Sequence, residues 1–154
     1  ELGNEKRINS QLYDAMNDSD VRKSVCVGAD GATLECDNGE FEVLHGYDEI
    51  LISGLAFGAV AGVGSTYNYL PEVYHGILKA VKEGDFEHAR KLQMKSIEIV
   101  KIIIKYGGGV RGGKAIMNLI GIDCGPCRLP IPAVSKEEYD MLKNDLLKIG
   151  FLSK

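Results

Sequence analysis

"HGYDEILISGLAFGAVAGVGSTYNYL", residues His45–Leu70, sets the pattern from which the fold is predicted. It overlaps a short segment of β-branched and aromatic residues, Phe41–His45, which predicts a strand. A glycine and two acids followed by apolar residues predict a helix over 46–59. The small-sided segment Val60–Ser65 predicts a second, buried strand. Strands that are separated by helices indicate a parallel sheet of the α/β class.

The rest of the chain extends this pattern with one more strand and several helices. The strand is the alternating segment "VRKSVCV" (Val21–Val27). The helices are predicted from their start and stop signals, and they cover 8–20, 70–85, 86–109, 113–121 and 135–150. Three strands alone leave both sheet edges unprotected, so we expect further strands from outside these residues to complete the sheet.

Three helices carry specific local signals. Pro71 in the first turn and Gly84 at the end bound one helix. Ser135 and Glu138 form a capping box at the start of the last helix. The long helix between them has an apolar stripe that predicts its buried face, made of Phe86, Ala89, Leu92, Ile99 and Ile103.

Composition excludes several classes of protein. The 154 residues suggest one domain, and 45% hydrophobic with 26% charged residues is ordinary for a globular protein. A net charge of −4 without a basic tract argues against a nucleic-acid partner. No apolar run has the roughly 18 residues of a membrane span, and the start of the chain is polar. With only four cysteines, we expect a reducing, cytoplasmic setting.

The motif Cys-Gly-Pro-Cys, Cys124 to Cys127, raises the alternative of a dithiol redox site. Such a site needs its first cysteine at a helix N-terminus, which lowers the thiol pKa. Pro130 and Pro132 follow instead and exclude regular helix there. We therefore expect both cysteines to be small side chains in a packed connection. A zinc site lacks a second close pair, since Cys26 and Cys36 are ten residues apart.

The stretches Gly46-Tyr47-Asp48-Glu49 and Gly64-Ser65-Thr66-Tyr67-Asn68 closely resemble those of the N-acetylneuraminate lyases, within the dihydrodipicolinate synthase and pyruvate-aldolase superfamily. The similarity covers at least 41–154. It implies the C-terminal part of a (β/α)₈ TIM barrel, an α/β fold. Strands six to eight with their helices would lie in 1–84, and a C-terminal helical extension in 85–154. Such barrels have about 250 residues, and the family's pyruvate-carboxylate loop and strand-five tyrosine belong to the half that we do not find here.

Four residues follow the predicted strands directly and are the candidates for substrate binding. Barrel active sites lie at the C-terminal ends of strands, where Asp48 and Glu49 can accept hydrogen bonds from a polyol. Ser65 can donate or accept one, and Gly46 lets the backbone approach a ligand. The alternative from spacing alone is that the polar residues cap the helices that follow. The resemblance implies that these four positions bind the glycerol tail of the substrate.

Lys23 is the candidate catalytic residue. A class I aldolase needs a neutral lysine, and burial in an apolar barrel lowers the pKa of an ammonium group. Lys23 shares a strand face with Val21 and Val25, and it lies 23 residues before Gly46. The family motif Gly-x-Lys-x-Thr/Ser is not matched by "VRKSV", so an ordinary strand lysine is the alternative. Lys114, at a predicted helix start, is expected to be structural.

The leading hypothesis is a Schiff-base aldolase that cleaves N-acetylneuraminate reversibly to N-acetylmannosamine and pyruvate. The alternatives are a lyase or synthase for another 2-keto acid, or a non-catalytic fragment that binds a sugar acid or a partner chain. We expect no cofactor and no metal, small-molecule substrates only (sialic acid, pyruvate and N-acetylmannosamine), and neither a nucleic acid nor a membrane partner. We also expect a homo-oligomer, specifically a homotetramer.

Overall fold

The structure, a computed structural model, describes residues 42–152. The chain divides into two compact units. Within the described residues, the first unit holds 42–45 and 53–61, and the second holds 46–52 and 62–152. The described part of the chain is mostly helical and has two short strands. The predicted helix over 8–20 and the predicted strand Val21–Val27 lie outside the described residues.

The two strands occur where they were predicted but are shorter. They are β1 (Leu44–His45) and β2 (Ala61–Gly62), and they pair in a two-stranded sheet. In the first unit, the Val60 amide donates a hydrogen bond to the Val43 carbonyl, 3.1 Å away. The small residues of β2 have little side-chain surface to pack, which keeps this ladder short. The assignment of both segments as barrel strands stays a prediction.

Each strand is followed by a polar 3₁₀ turn. The first, Asp48–Ile50, continues into α1 (Leu51–Ala56), so the predicted helix over 46–59 is confirmed in part. The second, Ser65–Asn68, leads to α2 (Pro71–Lys82). We call these segments the Asp48 turn and the Ser65 turn.

A helical hairpin forms the largest packed element of the second unit. Helix α2 has Pro71 in its first turn, as predicted, and Gly84 follows it with a φ of 77° that other residues rarely adopt. Helix α3 (Phe86–Lys105) is capped by the preceding Asp85, whose side chain accepts a hydrogen bond from the His88 amide. The two helices pack against each other.

The predicted apolar face of α3 is confirmed at Ala89, Ile99 and Ile103, which are all buried. Phe86 is 44% exposed, so the prediction is wrong there, because this residue starts the helix just after the turn. The same buried face also holds two polar side chains, Gln93 and Ser96. Buried polar groups of this kind require hydrogen-bond partners.

The last two helices are α4 (Gly108–Leu119) and α5 (Lys136–Lys148). Helix α4 begins five residues before its predicted start at Gly113, in a run rich in glycine. Gly112 packs against the backbone of Ile103 on α3, where a Cβ would lie 3.2 Å from the carbonyl oxygen. This tertiary contact stabilises a helix that glycine alone disfavours. Helix α5 has both hydrogen bonds of the predicted capping box of Ser135 and Glu138.

The connection between α4 and α5 has no helix, as the prolines predicted, but it is not packed. Most of 121–130 is exposed, including Cys124, so the predicted packed connection is wrong. Backbone contacts hold the segment instead of side-chain burial. The Lys114 ammonium donates to the carbonyls of Cys124, Gly125 and Pro126, at 2.8, 3.5 and 3.1 Å.

Among residues 42–152, none of the helices combines the length and the apolarity that crossing a membrane requires.

Candidate functional site

The candidate site is built where the Asp48 turn meets the Ser65 turn, within the second unit. The Asp48 carboxylate oxygen Oδ2 accepts a hydrogen bond from the Thr66 amide at 3.0 Å and another from the Thr66 hydroxyl at 2.5 Å. One aspartate therefore ties the two turns together. Gly64 lies directly against the Asp48 carboxylate, and a Cβ at this position would collide with it. The close approach of the turns thus requires glycine at 64.

The two turns form one wall of a pocket of about 220 Å³. Its polar wall includes all four residues predicted to bind substrate, namely Gly46, Asp48, Glu49 and Ser65. The structure therefore brings these four residues together. Their role in binding stays a prediction, because no ligand defines it.

The opposite wall of the pocket is apolar and was missed by the sequence analysis. It comes from Val100, Ile103 and Ile104 on α3, with Gly109 from the first turn of α4. The signal was present as the apolar run "IVKIII" (99–104) and the glycines at 107–109, but only Ile99 and Ile103 were interpreted, as part of a buried helix face. Ile104 is in fact 66% exposed, because it faces this pocket side of the helix rather than the α2–α3 core.

One carboxylate oxygen of Asp48 has no hydrogen-bond partner among the described residues. The residue is only 7% exposed, and its second oxygen, Oδ1, has no hydrogen-bond partner among residues 42–152. An unpaired carboxylate oxygen that is shielded from water is costly, and a hydroxyl donor would relieve that cost. In this arrangement Oδ1 lies against Gly64, so the bond to a ligand hydroxyl requires the two turns to shift slightly apart. Glu49, which is half-buried beside it, supplies a second carboxylate.

A set of tyrosines surrounds this carboxylate. The Tyr74 hydroxyl lies 2.5 Å from the Thr66 hydroxyl, and the Tyr74 ring contacts the Tyr67 ring with centroids 4.0 Å apart. Burial, together with the Asp48 charge, raises the pKa of Tyr67 to about 12. Burial also raises the pKa of Tyr69 and of Tyr74. These phenols stay protonated at neutral pH, so they can donate hydrogen bonds but do not act as bases.

The remaining candidate residues that the structure describes and the three histidines of the chain do not line the pocket. Lys23 and the pair Cys26 and Cys36 are outside the described residues. His75 and His88 are exposed on helices, and His45, in the first unit, ends β1. Cys124 and Cys127 are free thiols. Within residues 42–152, no group of three or more histidine, cysteine or acidic side chains is arranged to hold a metal ion.

Lys114 lies inside α4 rather than at its start. All of its hydrogen bonds go to backbone carbonyls of the connection that follows α4. These contacts hold the amine against the backbone of the connection and away from the pocket, whose lining does not include Lys114. The expected structural role of Lys114 is thus supported by its contacts.

Comparison with known proteins gives a consistent relationship. The model of the dihydrodipicolinate synthetase family matches residues 28–149. The human N-acetylneuraminate lyase is 41% identical over 115 residues, which cover 74% of this chain and 36% of that protein. The N-acetylneuraminate lyase of Escherichia coli O1:K1 / APEC is 42% identical over 100 residues, which cover 64% of this chain and 33% of that protein.

Solved structures agree with the sequence matches. The N-acetylneuraminate lyase of Proteus mirabilis superimposes with a TM-score of 0.72 and 28% identity, over 94% of this chain and 50% of that one. A dihydrodipicolinate synthase of Bacteroides thetaiotaomicron gives a TM-score of 0.66 and 29% identity, over 73% of this chain and 39% of that one. The chain thus spans about a third to a half of the length of these relatives.

Proposed function

The chain belongs to the dihydrodipicolinate synthetase family, and on that premise we propose that it is part of a Schiff-base aldolase that cleaves N-acetylneuraminate reversibly to N-acetylmannosamine and pyruvate. The observation that carries this proposal is the pocket between the Asp48 and Ser65 turns. The relatives named N-acetylneuraminate lyase, at about 40% identity, support the choice of reaction.

The polar wall of the pocket is suited to the glycerol tail of a sugar acid. The unpaired Oδ1 of Asp48 and the carboxylate of Glu49 accept hydrogen bonds from tail hydroxyls. The Ser65 hydroxyl donates or accepts one more hydrogen bond. No atom lies within 4 Å of where a side chain on Gly46 would begin, which leaves open space for the ligand. The apolar wall from α3 contacts the carbon skeleton of the tail. Alternating polar and apolar contacts of this kind fix the orientation of a small ligand.

In this proposal, Lys23 forms the Schiff base with the keto carbon of the substrate. The amine adds to the carbonyl, water leaves, and the protonated imine accepts the electron pair of the carbon–carbon bond that breaks. The neighbouring hydroxyl loses its proton and becomes the aldehyde of N-acetylmannosamine, and an enamine stays on the lysine. Protonation of the enamine carbon gives the imine of pyruvate, and addition of water to that imine returns the lysine and releases pyruvate. Lys23 lies outside the described residues, so this assignment depends on its spacing from Gly46. Lys114 is unsuited to the role because its ammonium donates to three backbone carbonyls.

The same proposal includes the complete architecture. The chain contributes strands six to eight of a (β/α)₈ barrel within 1–84 and a helical extension within 85–154. Because the chain spans about half of its relatives' length or less, the remaining strands come from other residues. We also propose a homo-oligomer, with a homotetramer as the specific expectation.

Borohydride trapping with pyruvate tests the reaction. Reduction of the imine should attach pyruvate covalently to Lys23, as mapped by peptide mass spectrometry. Lys23→Arg should abolish the adduct, because a guanidinium is not a nucleophile at neutral pH. Lys114→Arg is the matched control and should leave the adduct intact. No adduct in the wild-type protein, or an adduct that persists in Lys23→Arg, would contradict the assignment.

Similarity to dihydrodipicolinate synthases supports a second candidate, a lyase or synthase that acts on another 2-keto acid. This candidate also forms the pyruvate adduct, so the two candidates are distinguished by whether the protein acts on N-acetylneuraminate. Release of pyruvate from N-acetylneuraminate identifies the first candidate, and an adduct without that release identifies the second. A protein that forms no adduct but binds the sugar acid is a non-catalytic binding fragment.

A further inference from the structure

Gln93 makes an unusual set of contacts for a residue in the middle of a helix. It lies on α3 and is only 7% exposed. Its side-chain nitrogen Nε2 donates to the Asp48 carbonyl at 2.9 Å and to the Ser96 hydroxyl at 2.6 Å. Its oxygen Oε1 accepts a hydrogen bond from the Ile52 amide at 3.2 Å. One amide group therefore satisfies a backbone acceptor and a backbone donor of a distant segment.

Those two backbone groups lie at either end of the segment that forms the polar wall of the pocket. Asp48 starts the 3₁₀ turn, and Ile52 lies in the first turn of α1. The N-cap residue of the turn, Tyr47, provides no side-chain hydrogen bond to it. Unsatisfied groups at helix starts are normally met by such a cap. Gln93 performs this function for the Ile52 amide from another helix, and it also donates to the Asp48 carbonyl.

Glu49 depends on this support more than Asp48 does. The Asp48 side chain is held from the opposite side by Thr66. The Glu49 side chain, in contrast, makes no hydrogen bond to any residue that the structure describes. Among the described residues, its position at the pocket therefore depends on the backbone of the turn rather than on a side-chain hydrogen bond. Any movement of that backbone away from α3 displaces the Glu49 carboxylate.

We propose that Gln93 is a positioning residue for recognition of the substrate's polyol tail, acting through the backbone of the Asp48 turn. The inference rests on the proposed function, in which Asp48 and Glu49 bind that tail. Gln93 is not among the residues that line the pocket, so it acts only through the turn. It sets the affinity for the sugar portion and leaves Schiff-base chemistry unaffected. Supporting contacts of this kind commonly determine how well the groups that touch a ligand perform.

The test compares Gln93→Met with Ser96→Ala in the intact protein. Methionine has a similar volume to glutamine but cannot make either hydrogen bond to the turn. We expect KM for N-acetylneuraminate to rise about tenfold, the effect of losing one or two buried hydrogen bonds. The kcat and the rate of pyruvate trapping should stay within about twofold of the wild type, because neither involves the tail.

Ser96→Ala is the matched control. It removes the hydrogen bond between Gln93 Nε2 and the Ser96 hydroxyl, on the same buried face of α3. Both hydrogen bonds between Gln93 and the backbone of the Asp48 turn remain. We expect its KM to stay within about twofold of the wild-type value. An unchanged KM in Gln93→Met would overturn the proposal. An equal rise of KM in Ser96→Ala would also overturn it, because the effect would then come from general packing of α3.

Amide hydrogen exchange provides a measurement that does not require turnover. In Gln93→Met, peptides that cover 46–52 should exchange about tenfold faster, because the Ile52 amide loses its partner. Ser96→Ala should leave them unchanged. If the wild type forms no pyruvate adduct, the proposed reaction fails. In that case the affinity for N-acetylneuraminate, measured by calorimetry for the wild type and the same two variants, tests the role of Gln93 independently of the reaction. Equal affinities in wild type and Gln93→Met would overturn it.

Discussion

Asp48 uses its two carboxylate oxygens differently, and a single substitution can separate them. In Asp48→Asn, the remaining oxygen can still accept from Thr66, but an NH₂ group replaces the unpaired Oδ1. The side-chain group that accepts from a ligand hydroxyl in the wild type is therefore replaced by one that can only donate. We expect KM for the sugar acid to rise about tenfold, as for the loss of a charged hydrogen bond, while pyruvate trapping is unchanged.

Glu72→Gln is a suitable control for this substitution, because Glu72 is an exposed acid on α2 outside the pocket. It removes the same charge from the protein and should leave KM as it is. Equal loss of sugar use and of pyruvate trapping in Asp48→Asn would show that the assignment of Asp48 to the tail is wrong.

Tyr67 gives a prediction on alkaline stability. Its folded-state pKa of about 12 exceeds the ordinary value of 10.0 because of burial and the Asp48 charge. Between these two values the folded protein binds more protons than the unfolded chain, so the free energy of unfolding falls as pH rises. Tyr67→Phe removes this titrating hydroxyl, and with it the pH-dependent contribution. Denaturant unfolding from pH 9 to 12 should show a shallower decline in the variant, and an identical slope would contradict the shift.

At the residue scale, the sequence predicted which polar residues come together, while their role in binding stays a prediction. Asp48, Glu49 and Ser65 were found because they directly follow predicted strands, and the structure brings them to one pocket. Gln93 could not be found this way. Its partner Asp48 is 45 residues away, and within its own helix it resembles any polar residue. Only the tertiary packing of α3 on the Asp48 turn reveals its contacts.

At the scale of elements, the first turn of α4 controls the shape of the pocket. A Cβ on Gly109 would lie 2.5 Å from the Ser65 hydroxyl, whereas one on Gly113 would lie 3.8 Å from the nearest atom of Tyr69. Alanine at either position stabilises a helix by about 0.5–1 kcal/mol. We expect Gly109→Ala to raise KM for the sugar acid severalfold without loss of thermal stability. Gly113→Ala should be as stable with an unchanged KM, and equal values of KM in both would contradict the contact.

The connection after α4 leads to a prediction about its cysteines. Cys124 and Cys127 are free, and Cys124 contributes its backbone carbonyl, not its thiol, to the contact with Lys114. The double variant Cys124→Val with Cys127→Ala should retain kcat/KM and melting temperature within experimental error. Activity of the wild type that depends on reductant, together with loss of activity in the variant, would instead indicate a redox role.

Elements with local signals were predicted well, and those that depend on distant contacts were not. The capping box of Ser135 and Glu138 and the proline at the start of α2 are encoded within four residues, and both are present. The start of α4 was missed because residues 107–109 were assigned to the end of the preceding helix, whereas Gly112 allows close packing of a new helix on α3. The exposed connection was misjudged because proline content predicts the lack of helix but not burial.

At the scale of the whole molecule, the apolar residues on and beside the strands indicate missing neighbours. In the first unit, Leu44 and Val60 are 54% and 51% exposed, and in the second, Val63 is 62% exposed. At roughly 25 cal/mol per Å² of apolar surface, such exposure is large against a typical stability of about 5–15 kcal/mol. A polypeptide of these 154 residues alone should therefore associate or unfold readily. Light scattering and denaturant unfolding measure this, and a stable monomer with cooperative unfolding would contradict the half-barrel interpretation.

The hydrogen bond between Gln93 and the Asp48 carbonyl has a consequence for the protein during its synthesis. The Asp48 turn is translated 45 residues before Gln93. At typical rates of about 5–20 residues per second, the ribosome needs roughly 2–9 s to add those residues. The turn has no side-chain cap of its own, so it lacks this partner throughout that interval. The polar wall of the pocket is therefore completed only after α3 has been translated, and a nascent chain that stalls before Gln93 lacks this support.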